Sequence, residues 1–230
     1  MGLAVKAVLF DLDGTLVDSL PELYEGVRRS MEEMQLPVPP KEAVRDMIGR
    51  GVRVLVERIL TYQGLPADAA ACDALLASLV KHWAETSGDY TEFFPGVLDG
   101  IQALREAGIK VGLVTNKWHD LTVEFLERRQ ILALFDVIVA GDDCPRNKPD
   151  PDMLLKAMAD LGVGAEVTIM VGDSRNDALA ARAAGVRAAL VETGYNEGVS
   201  INAWAREAGF TRCFPSAKKV CDLVVQGNFV

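Results

Sequence analysis

Histidine and cysteine are scarce in this sequence, and basic residues do not outnumber acidic ones. The 230 residues include two histidines and four cysteines, and 33 acidic against 24 basic residues give a formal net charge of −9. Two histidines are too few for a metal site built on several imidazoles. No two cysteines form a Cys-x-x-Cys pair, as expected of reduced cytoplasmic thiols. The acidic balance argues against sequence-independent binding of nucleic acid or an anionic membrane, since either needs a basic surface.

Long apolar runs and several common motifs are also missing. Apolar runs such as Ile131–Phe135 fall far short of the roughly 20 residues of a membrane-spanning helix. No Gly-x-Ser-x-Gly, Walker A or Gly-x-Gly-x-x-Gly motif is present, which disfavours a serine hydrolase and the common nucleotide-binding folds. Half of the residues are apolar and 25% are charged, as in folded globular proteins of one or two domains. We expect a cytoplasmic monomer or homodimer that acts on a small molecule.

Short apolar runs alternate with helical patterns through most of the chain. We predict strands at Ala4–Phe10, Lys110–Val114, Val137–Ala140, Thr168–Val171 and Ala188–Val191. The intervening helices are predicted at Val97–Ala107, Asp120–Arg129, Pro151–Leu161 and Arg175–Ala184. This alternation predicts an α/β fold with a Rossmann-like, doubly wound parallel sheet, which binds its ligands at the carboxyl ends of the strands.

One connection is much longer than a crossover requires. About eighty residues separate the first strand from the unit that begins near Phe94, whereas a crossover needs about a dozen. Helical periodicity recurs within this insert, at residues 20–34, 41–48, 52–62 and 68–86. We therefore predict a small helical cap, residues 17–93, on a core formed by residues 1–16 and 94–230. Ser19 and Glu22 have capping-box spacing at the start of the first cap helix.

Two carboxylates, Asp11 and Asp13, directly follow the first predicted strand. Residues i and i+2 of a strand share a face, so both side chains can point at one substrate. Two close carboxylates push their pKa values apart, leaving one anionic and the other able to carry a proton. Asp11 would attack phosphorus to form an aspartyl-phosphate, while Asp13 would protonate the leaving oxygen and then deprotonate water. Considered alone, the pattern also fits an ordinary surface turn.

Polar residues also follow the second and third predicted strands. Thr115 and Asn116 offer a hydroxyl and a backbone N–H that suit phosphate oxygens, although an ordinary helix cap has the same appearance. Lys148 lies in the loop after the third strand and would neutralise both phosphate and the Asp11 carboxylate. An isolated lysine is more commonly a solvated surface charge, so the prediction depends on the sheet bringing these loops together.

Asp173 and Asp177 follow the fourth strand and complete a candidate metal site. Asp173 ends its strand at the same sheet edge as Asp11, where Mg²⁺ is the natural bridge between two carboxylates and a phosphate. Ser174 and Asp177 also have capping-box spacing. Asp177 is therefore either a metal-site residue or a helix cap at this stage.

At this point the chain resembles the haloacid dehalogenase-like phosphohydrolases. The residues similar to that family's four motifs are Asp11-Leu12-Asp13-Gly14-Thr15, Val114-Thr115-Asn116-Lys117, Lys148-Pro149 and Gly172-Asp173-Ser174-Arg175-Asn176-Asp177. The motifs occur in order, each at a predicted strand end or loop, and the helical insert falls where the family carries its cap. The resemblance implies the strand order 3-2-1-4-5 and Mg²⁺ held by Asp11, the backbone carbonyl of Asp13, and Asp173.

Further runs resemble the phosphoglycolate phosphatase branch of the family. They are Gly141-Asp142-Asp143, Thr193-Gly194-Tyr195-Asn196-Glu197-Gly198, and Ile48-Gly49-Arg50-Gly51 leading into Val54–Arg58. Arg50 stands where the branch often has asparagine, and Asp150 stands where histidine is common. The Arg50 guanidinium is our candidate for binding a substrate carboxylate such as that of glycolate.

Several functions share these motifs. The resemblance favours a Mg²⁺-dependent phosphatase acting on 2-phosphoglycolate through an aspartyl-phosphate. A sugar-phosphate mutase, or a phosphatase of a sugar phosphate, a nucleotide or pyrophosphate, would use the same residues. A non-catalytic phospho-receiver also has an acidic pocket and a lysine, but it needs neither a cap nor an acid at position 13. Dehalogenase chemistry is disfavoured, because a departing halide needs no acid and Asp13 is present.

Overall fold

The computed structural model describes residues 4–86 and 88–229 and has a parallel sheet of six strands at its centre. In spatial order they are β5 (Val137–Val139), β4 (Lys110–Val114), β1 (Ala7–Phe10), β6 (Thr168–Gly172), β7 (Arg187–Val191) and β8 (Cys213–Phe214). The predicted strands and their order are confirmed. The two-residue β8 was not predicted, because it is too short to show a pattern. Residues 1–3 of the predicted core, Ser87 of the predicted cap and Val230 lie outside the described residues.

The predicted helices are confirmed, with small shifts at their ends. The helices that alternate with strands are α5 (Val97–Glu106), α6 (His119–Arg128), α7 (Asp152–Leu161), α8 (Arg175–Ala183), α9 (Ile201–Ala208) and α10 (Ala217–Val225). Of these, α9 and α10 were not predicted. The insert after β1 contains α1 (Leu20–Glu33), α2 (Lys41–Arg45), α3 (Val52–Tyr62) and α4 (Ala69–Thr86). Within the described part of the chain, every helix is too short or too polar to cross a membrane.

The central strand β1 is buried on both sides. Successive side chains of a strand point to opposite faces. Val8 and Phe10 therefore pack into the cluster that contains α5 and α10, while Ala7 and Leu9 pack into the cluster that contains α7. Burial on both faces explains why this strand reads as a continuous apolar run rather than an alternating one. Asp11 directly follows the last residue of this strand and therefore lies at the carboxyl edge of the sheet.

The insert has a hydrophobic core of its own, in which α1 and α4 pack together. The side chains at its centre are completely buried and come from α1, α3 and α4: Val27, Met31, Ile59, Leu75 and Leu79. Two short strands, β2 (Val17–Asp18) and β3 (Glu92–Phe93), pair antiparallel at the base of the insert. This pairing brings together the two segments at which the predicted cap begins and ends.

The predicted capping box at the start of α1 is wrong. The Ser19 side chain makes no capping hydrogen bond, because its backbone (φ −95°, ψ −2°) lies in the helical region rather than the extended region that capping needs. Glu22 instead accepts hydrogen bonds from the Thr86 hydroxyl at 2.7 Å and from the Tyr90 N–H at 2.9 Å. Glu22 therefore ties α1 to the segment that returns to the sheet.

Candidate active site

Lys148 lies between carboxylates delivered by different strands. Its ammonium is 2.9 Å from an Asp11 oxygen and 2.6 Å from an Asp177 oxygen, and it donates to the Val114 carbonyl at 2.7 Å. The residue is 3% exposed. Although burial disfavours its charge, the two carboxylates raise the pKa of Lys148, so it stays protonated at neutral pH. Parallel strands that end at one edge bring these distant residues together.

Three carboxylates beside this lysine lie close enough together to hold a cation. Oxygen atoms of Asp11, Asp173 and Asp177 lie within 4.8 Å of one another. Burial raises the pKa of Asp11 well above its usual range despite the opposing effect of Lys148, and burial with the charge of Asp177 raises that of Asp173 to about 7. Burial is the larger cause of both shifts, and the neighbouring carboxylates add to it. A hard divalent cation with oxygen ligands, such as Mg²⁺, fits this donor set.

Asp177 is both a helix cap and a neighbour of the cation site. The capping box with Ser174 at the start of α8 is confirmed, with one Asp177 oxygen accepting from the Ser174 N–H at 3.1 Å and from its hydroxyl at 2.7 Å. The other oxygen accepts from Lys148. Both oxygens are thus already engaged. Asp177 therefore orients Lys148 and contributes charge next to Asp11 and Asp173.

Asp173 is held by groups for which no local pattern predicts a role. Its carboxylate accepts from the Thr15 hydroxyl at 3.0 Å and from the Tyr195 N–H at 2.9 Å. Gly14 has φ +88°, and a Cβ there would lie 2.6 Å from an Asp173 oxygen. Only glycine allows this approach without displacing the carboxylate. Thr15 and Tyr195 lie within runs quoted for the family resemblance, which is the only sequence signal for them.

Asn116 connects two loops of the site. Its side-chain N–H₂ donates to the carbonyls of Gly49 and Lys148 at 3.1 and 3.0 Å, and its side-chain oxygen accepts from the Lys148 N–H at 3.1 Å. The side chain therefore positions the backbone of Lys148 and leaves the predicted phosphate contact to the main chain. Thr115 is buried beside it. Neither residue caps α6, whose first turn is preceded by Trp118.

A small cavity of about 60 Å³ lies between the insert and the carboxyl edge of the sheet. Its polar floor is formed by core residues: Asp11, Asp13, Thr115, Asn116 and Lys117. Its walls are largely apolar and are formed by Leu23, Ile48, Val52, Leu55, Trp83, Trp118 and Leu121. The cavity thus places the Asp11 carboxylate between a polar floor and a largely apolar wall.

Asp13 and Lys117 face one another in this cavity. The Asp13 carboxylate is outside the three-carboxylate cluster, and its Oδ1 atom is buried without a hydrogen-bond partner among the described residues. The ammonium of Lys117 is 3.8 Å from that oxygen. Lys117 was not predicted as a site residue, although it ends the second quoted motif. Among the described residues, Lys117 is the one cationic side chain that lines the cavity.

The prediction that Arg50 binds a substrate carboxylate requires this residue to line the cavity. In the structure it does not. The Arg50 Nε donates to Glu197 at 2.6 Å, and Arg50 is not among the lining residues, whereas its neighbours Gly49 and Gly51 are. The Arg50 guanidinium is instead paired with a carboxylate of the protein itself. The physical reason for the difference is the loop after β7, which delivers Glu197 to the insert.

Comparisons with known proteins agree with this geometry. Residues 8–191 match the family model described as haloacid dehalogenase-like hydrolase. Phosphoglycolate phosphatase 1 of Pseudomonas aeruginosa is 40% identical over 197 residues, which cover 84% of this chain and 71% of that protein. A plasmid-encoded phosphoglycolate phosphatase of Cupriavidus necator is 42% identical over 195 residues, covering 85% of this chain and 84% of that protein.

A solved structure supports the same assignment. The crystal structure of a predicted phosphoglycolate phosphatase from Haemophilus somnus superposes with a TM-score of 0.88 at 26% identity, covering 95% of this chain and 97% of that one. The match includes the insert as well as the sheet. With the four motifs at the carboxyl edge of the sheet, the chain belongs to the haloacid dehalogenase-like hydrolase family.

Proposed function

We propose that the protein is a Mg²⁺-dependent phosphatase that hydrolyses 2-phosphoglycolate to glycolate and phosphate, with α1–α4 acting as its cap. The observation that carries the proposal is the Asp11 carboxylate, which lies on the floor of a small cavity and 2.9 Å from the buried Lys148 ammonium. The relatives named phosphoglycolate phosphatase support the choice of substrate. The four free cysteines are consistent with a cytoplasmic location, and we propose a monomer or homodimer.

In the proposed reaction an Asp11 oxygen attacks phosphorus, and the bond from phosphorus to the glycolate oxygen breaks. Asp13 donates a proton to that leaving oxygen. Asp13 then accepts a proton from a water molecule that attacks the aspartyl-phosphate, which releases inorganic phosphate and restores the Asp11 carboxylate. Asp13 lines the cavity, and its Oδ1 atom lies 3.8 Å from the Lys117 ammonium but accepts no hydrogen bond among the described residues, so this oxygen is available to exchange a proton with the substrate.

The charges at the site explain the proposed need for metal. A phosphate dianion would lie beside Asp11, Asp173 and Asp177, whose nearby cation Lys148 already binds two of them. Bound Mg²⁺ would supply the missing positive charge and reduce the repulsion between phosphate and these carboxylates. Asp11 and Asp173, with the Asp13 carbonyl, are the proposed ligands.

The first experiment measures inorganic phosphate released from a panel of monoesters with Mg²⁺ or with EDTA. The panel contains 2-phosphoglycolate, glucose 6-phosphate, a nucleoside monophosphate and pyrophosphate. We expect 2-phosphoglycolate to be the best substrate and EDTA to lower its rate by at least about 100-fold, since the substrate is then repelled by its own site. An isomerised sugar phosphate would identify a mutase instead, and no reaction with any member would contradict the proposal.

We further propose that Lys117 binds the carboxylate of 2-phosphoglycolate, in place of the predicted Arg50. Lys117 lines the cavity, and its nearest carboxylate, Asp13, is 3.8 Å away. A charge-assisted hydrogen bond contributes roughly 1.5–3 kcal/mol. Lys117→Met should therefore raise KM for 2-phosphoglycolate by at least about 10-fold more than KM for ethyl phosphate, which lacks the carboxylate.

The comparison of two substrates isolates this contact. Loss of Lys117 also changes the charge beside Asp13, but that effect on the general acid is common to both substrates and cancels in the ratio. Lys156→Met, on the exposed face of α7, is the control and should leave both KM values unchanged. Equal increases in KM for the two substrates would show that Lys117 does not bind the carboxylate.

A further inference from the structure

The Glu197 carboxylate accepts hydrogen bonds from arginines of both the insert and the core. Its Oε1 atom accepts from Arg50 Nε at 2.6 Å and from Arg58 Nη2 at 3.0 Å, and its Oε2 atom accepts from Arg175. Arg50 and Arg58 belong to the insert, whereas Arg175 begins α8, two residues after Asp173. The Glu197 side chain is 5% exposed. One nearly buried carboxylate thus joins the two parts of the molecule.

The backbone around Glu197 adopts an unfavourable conformation that aims the side chain at these arginines. Asn196, Glu197 and Gly198 have φ values of +34°, +51° and +76°, and such values cost a non-glycine residue of order 1 kcal/mol. The Asn196 side chain holds the loop by accepting from the Arg175 N–H at 2.8 Å and donating to the Val199 carbonyl at 2.9 Å. A conformation of this kind persists only where its surroundings impose it.

Arg50 belongs to a loop that forms part of the cavity wall. Its neighbours Gly49 and Gly51 line the cavity and have φ values of +122° and +84°, a backbone that glycine adopts with little strain. The Gly49 carbonyl accepts from the side chains of Asn116 and Asn176 at 3.1 and 3.3 Å. The loop is therefore attached to the core by these two amides and by the pair between Arg50 and Glu197.

We propose that Glu197 is a positioning residue that holds the 49–51 loop (Gly49-Arg50-Gly51) over the cavity. Glu197 touches neither the cavity nor the three-carboxylate cluster. It acts on catalysis through the loop, and this part of the inference rests on the proposed phosphatase function. Because Glu197 helps to keep the cavity closed, we expect it to affect substrate affinity rather than the rate of the chemical step.

Glu197 holds this loop by neutralising the positive charges that meet at its carboxylate. Three guanidinium groups converge on it, and burial together with the charge of Arg50 lowers the pKa of Arg58. Asp46 is close by, since a Cβ on Gly198 would lie 2.8 Å from its carboxyl carbon. Asp46 cannot replace a carboxylate placed between the three arginines. Without Glu197 the arginines repel one another, and Arg50 is the most exposed of them, at 44%.

The first test measures amide hydrogen exchange in the metal-free full-length protein and needs no substrate. In Glu197→Gln, which keeps the shape of the side chain and removes its charge, the N–H groups of Met47 and Ile48 should exchange about 10-fold faster. These amides donate to Val44 and Arg45 immediately before the loop. The amides of β1 should not change. Asp160→Asn, which breaks an exposed pair on α7, is the control.

The second test separates substrate affinity from chemistry. In Glu197→Gln, KM for 2-phosphoglycolate should rise about 10-fold while kcat stays within about 2-fold, because closure of the cavity weakens but the reacting groups are intact. Arg50→Gln, at an exposed position, should raise KM in the same direction. It should do so equally for 2-phosphoglycolate and ethyl phosphate, and the double variant should not exceed Glu197→Gln.

Each outcome bears on a different part of the inference. Unchanged exchange and unchanged KM in Glu197→Gln would overturn it. An increase in KM confined to 2-phosphoglycolate in Arg50→Gln would also overturn it, because Arg50 would then contact the substrate carboxylate. If no phosphate monoester is hydrolysed, the exchange result still decides whether Glu197 holds the loop, so failure of the proposed function is distinguishable.

Discussion

Replacing Asp11 with asparagine is expected to lower phosphate release from 2-phosphoglycolate by at least about 10⁴-fold, because the amide cannot attack phosphorus. Asn occupies the same space and removes one charge from the cluster with Asp173 and Asp177. The measurement is the initial rate at saturating substrate and Mg²⁺. Rapid acid quenching of the wild-type enzyme with ³²P-labelled substrate should trap label on the protein, and hydroxylamine should release it.

Stability provides the control for Asp11→Asn. Burial raises the pKa of Asp11, so its charged form opposes folding when no metal is bound. Lys148 keeps its ion pair with Asp177 in the variant. The variant should therefore unfold at no lower urea concentration than the metal-free wild type at pH 8. Trapped label in the variant, or activity within about 10-fold of wild type, would show that another residue is the nucleophile.

Replacing Lys148 with methionine is expected to have the largest effect on stability. The lysine is buried between Asp11 and Asp177, and removing one partner of a buried ion pair leaves an uncompensated charge. Such losses cost roughly 3–5 kcal/mol. Urea denaturation of the metal-free protein at pH 8 measures the change, and phosphate release should be lost as well. Lys156→Met is a matched control, since its 2.8 Å pair with Asp160 is exposed and contributes less than about 1 kcal/mol.

The pH dependence of this loss follows from the direction of the carboxyl shifts. The pKa of Asp173 is raised to about 7 and that of Asp11 is also raised. A carboxyl group with a raised folded-state pKa favours folding at low pH, and that contribution is lost as pH rises through the folded-state value. The penalty of Lys148→Met should therefore be smaller at pH 5 than at pH 8. A penalty independent of pH, or one no larger than that of Lys156→Met, would contradict this account.

Local sequence determined most of the fold and the location of the site. Apolar runs followed by helical periodicity predict the strands, and parallel strands place their following residues at one edge. This rule brings Asp11, Thr115, Lys148 and Asp173 together, although they come from widely separated parts of the sequence. It works because Asp11, Thr115 and Asp173 lie at the ends of their own strands, whose burial pattern is local, whereas Lys148 is also held by Asn116.

Contacts that join loops could not be predicted in this way. The sequence alone does not show that Glu197 meets Arg50, 147 residues away, or that Glu22 bonds Thr86 rather than capping α1. The partners of these side chains depend on how the insert packs on the sheet. The packing of the insert on the sheet, and not the spacing of residues in the sequence, determines which charged group lies nearest to each side chain. The sequence by itself thus determined the central strands and the insert and predicted the reacting groups, while only the tertiary structure decided that Lys117 lines the cavity and that Arg50 binds Glu197.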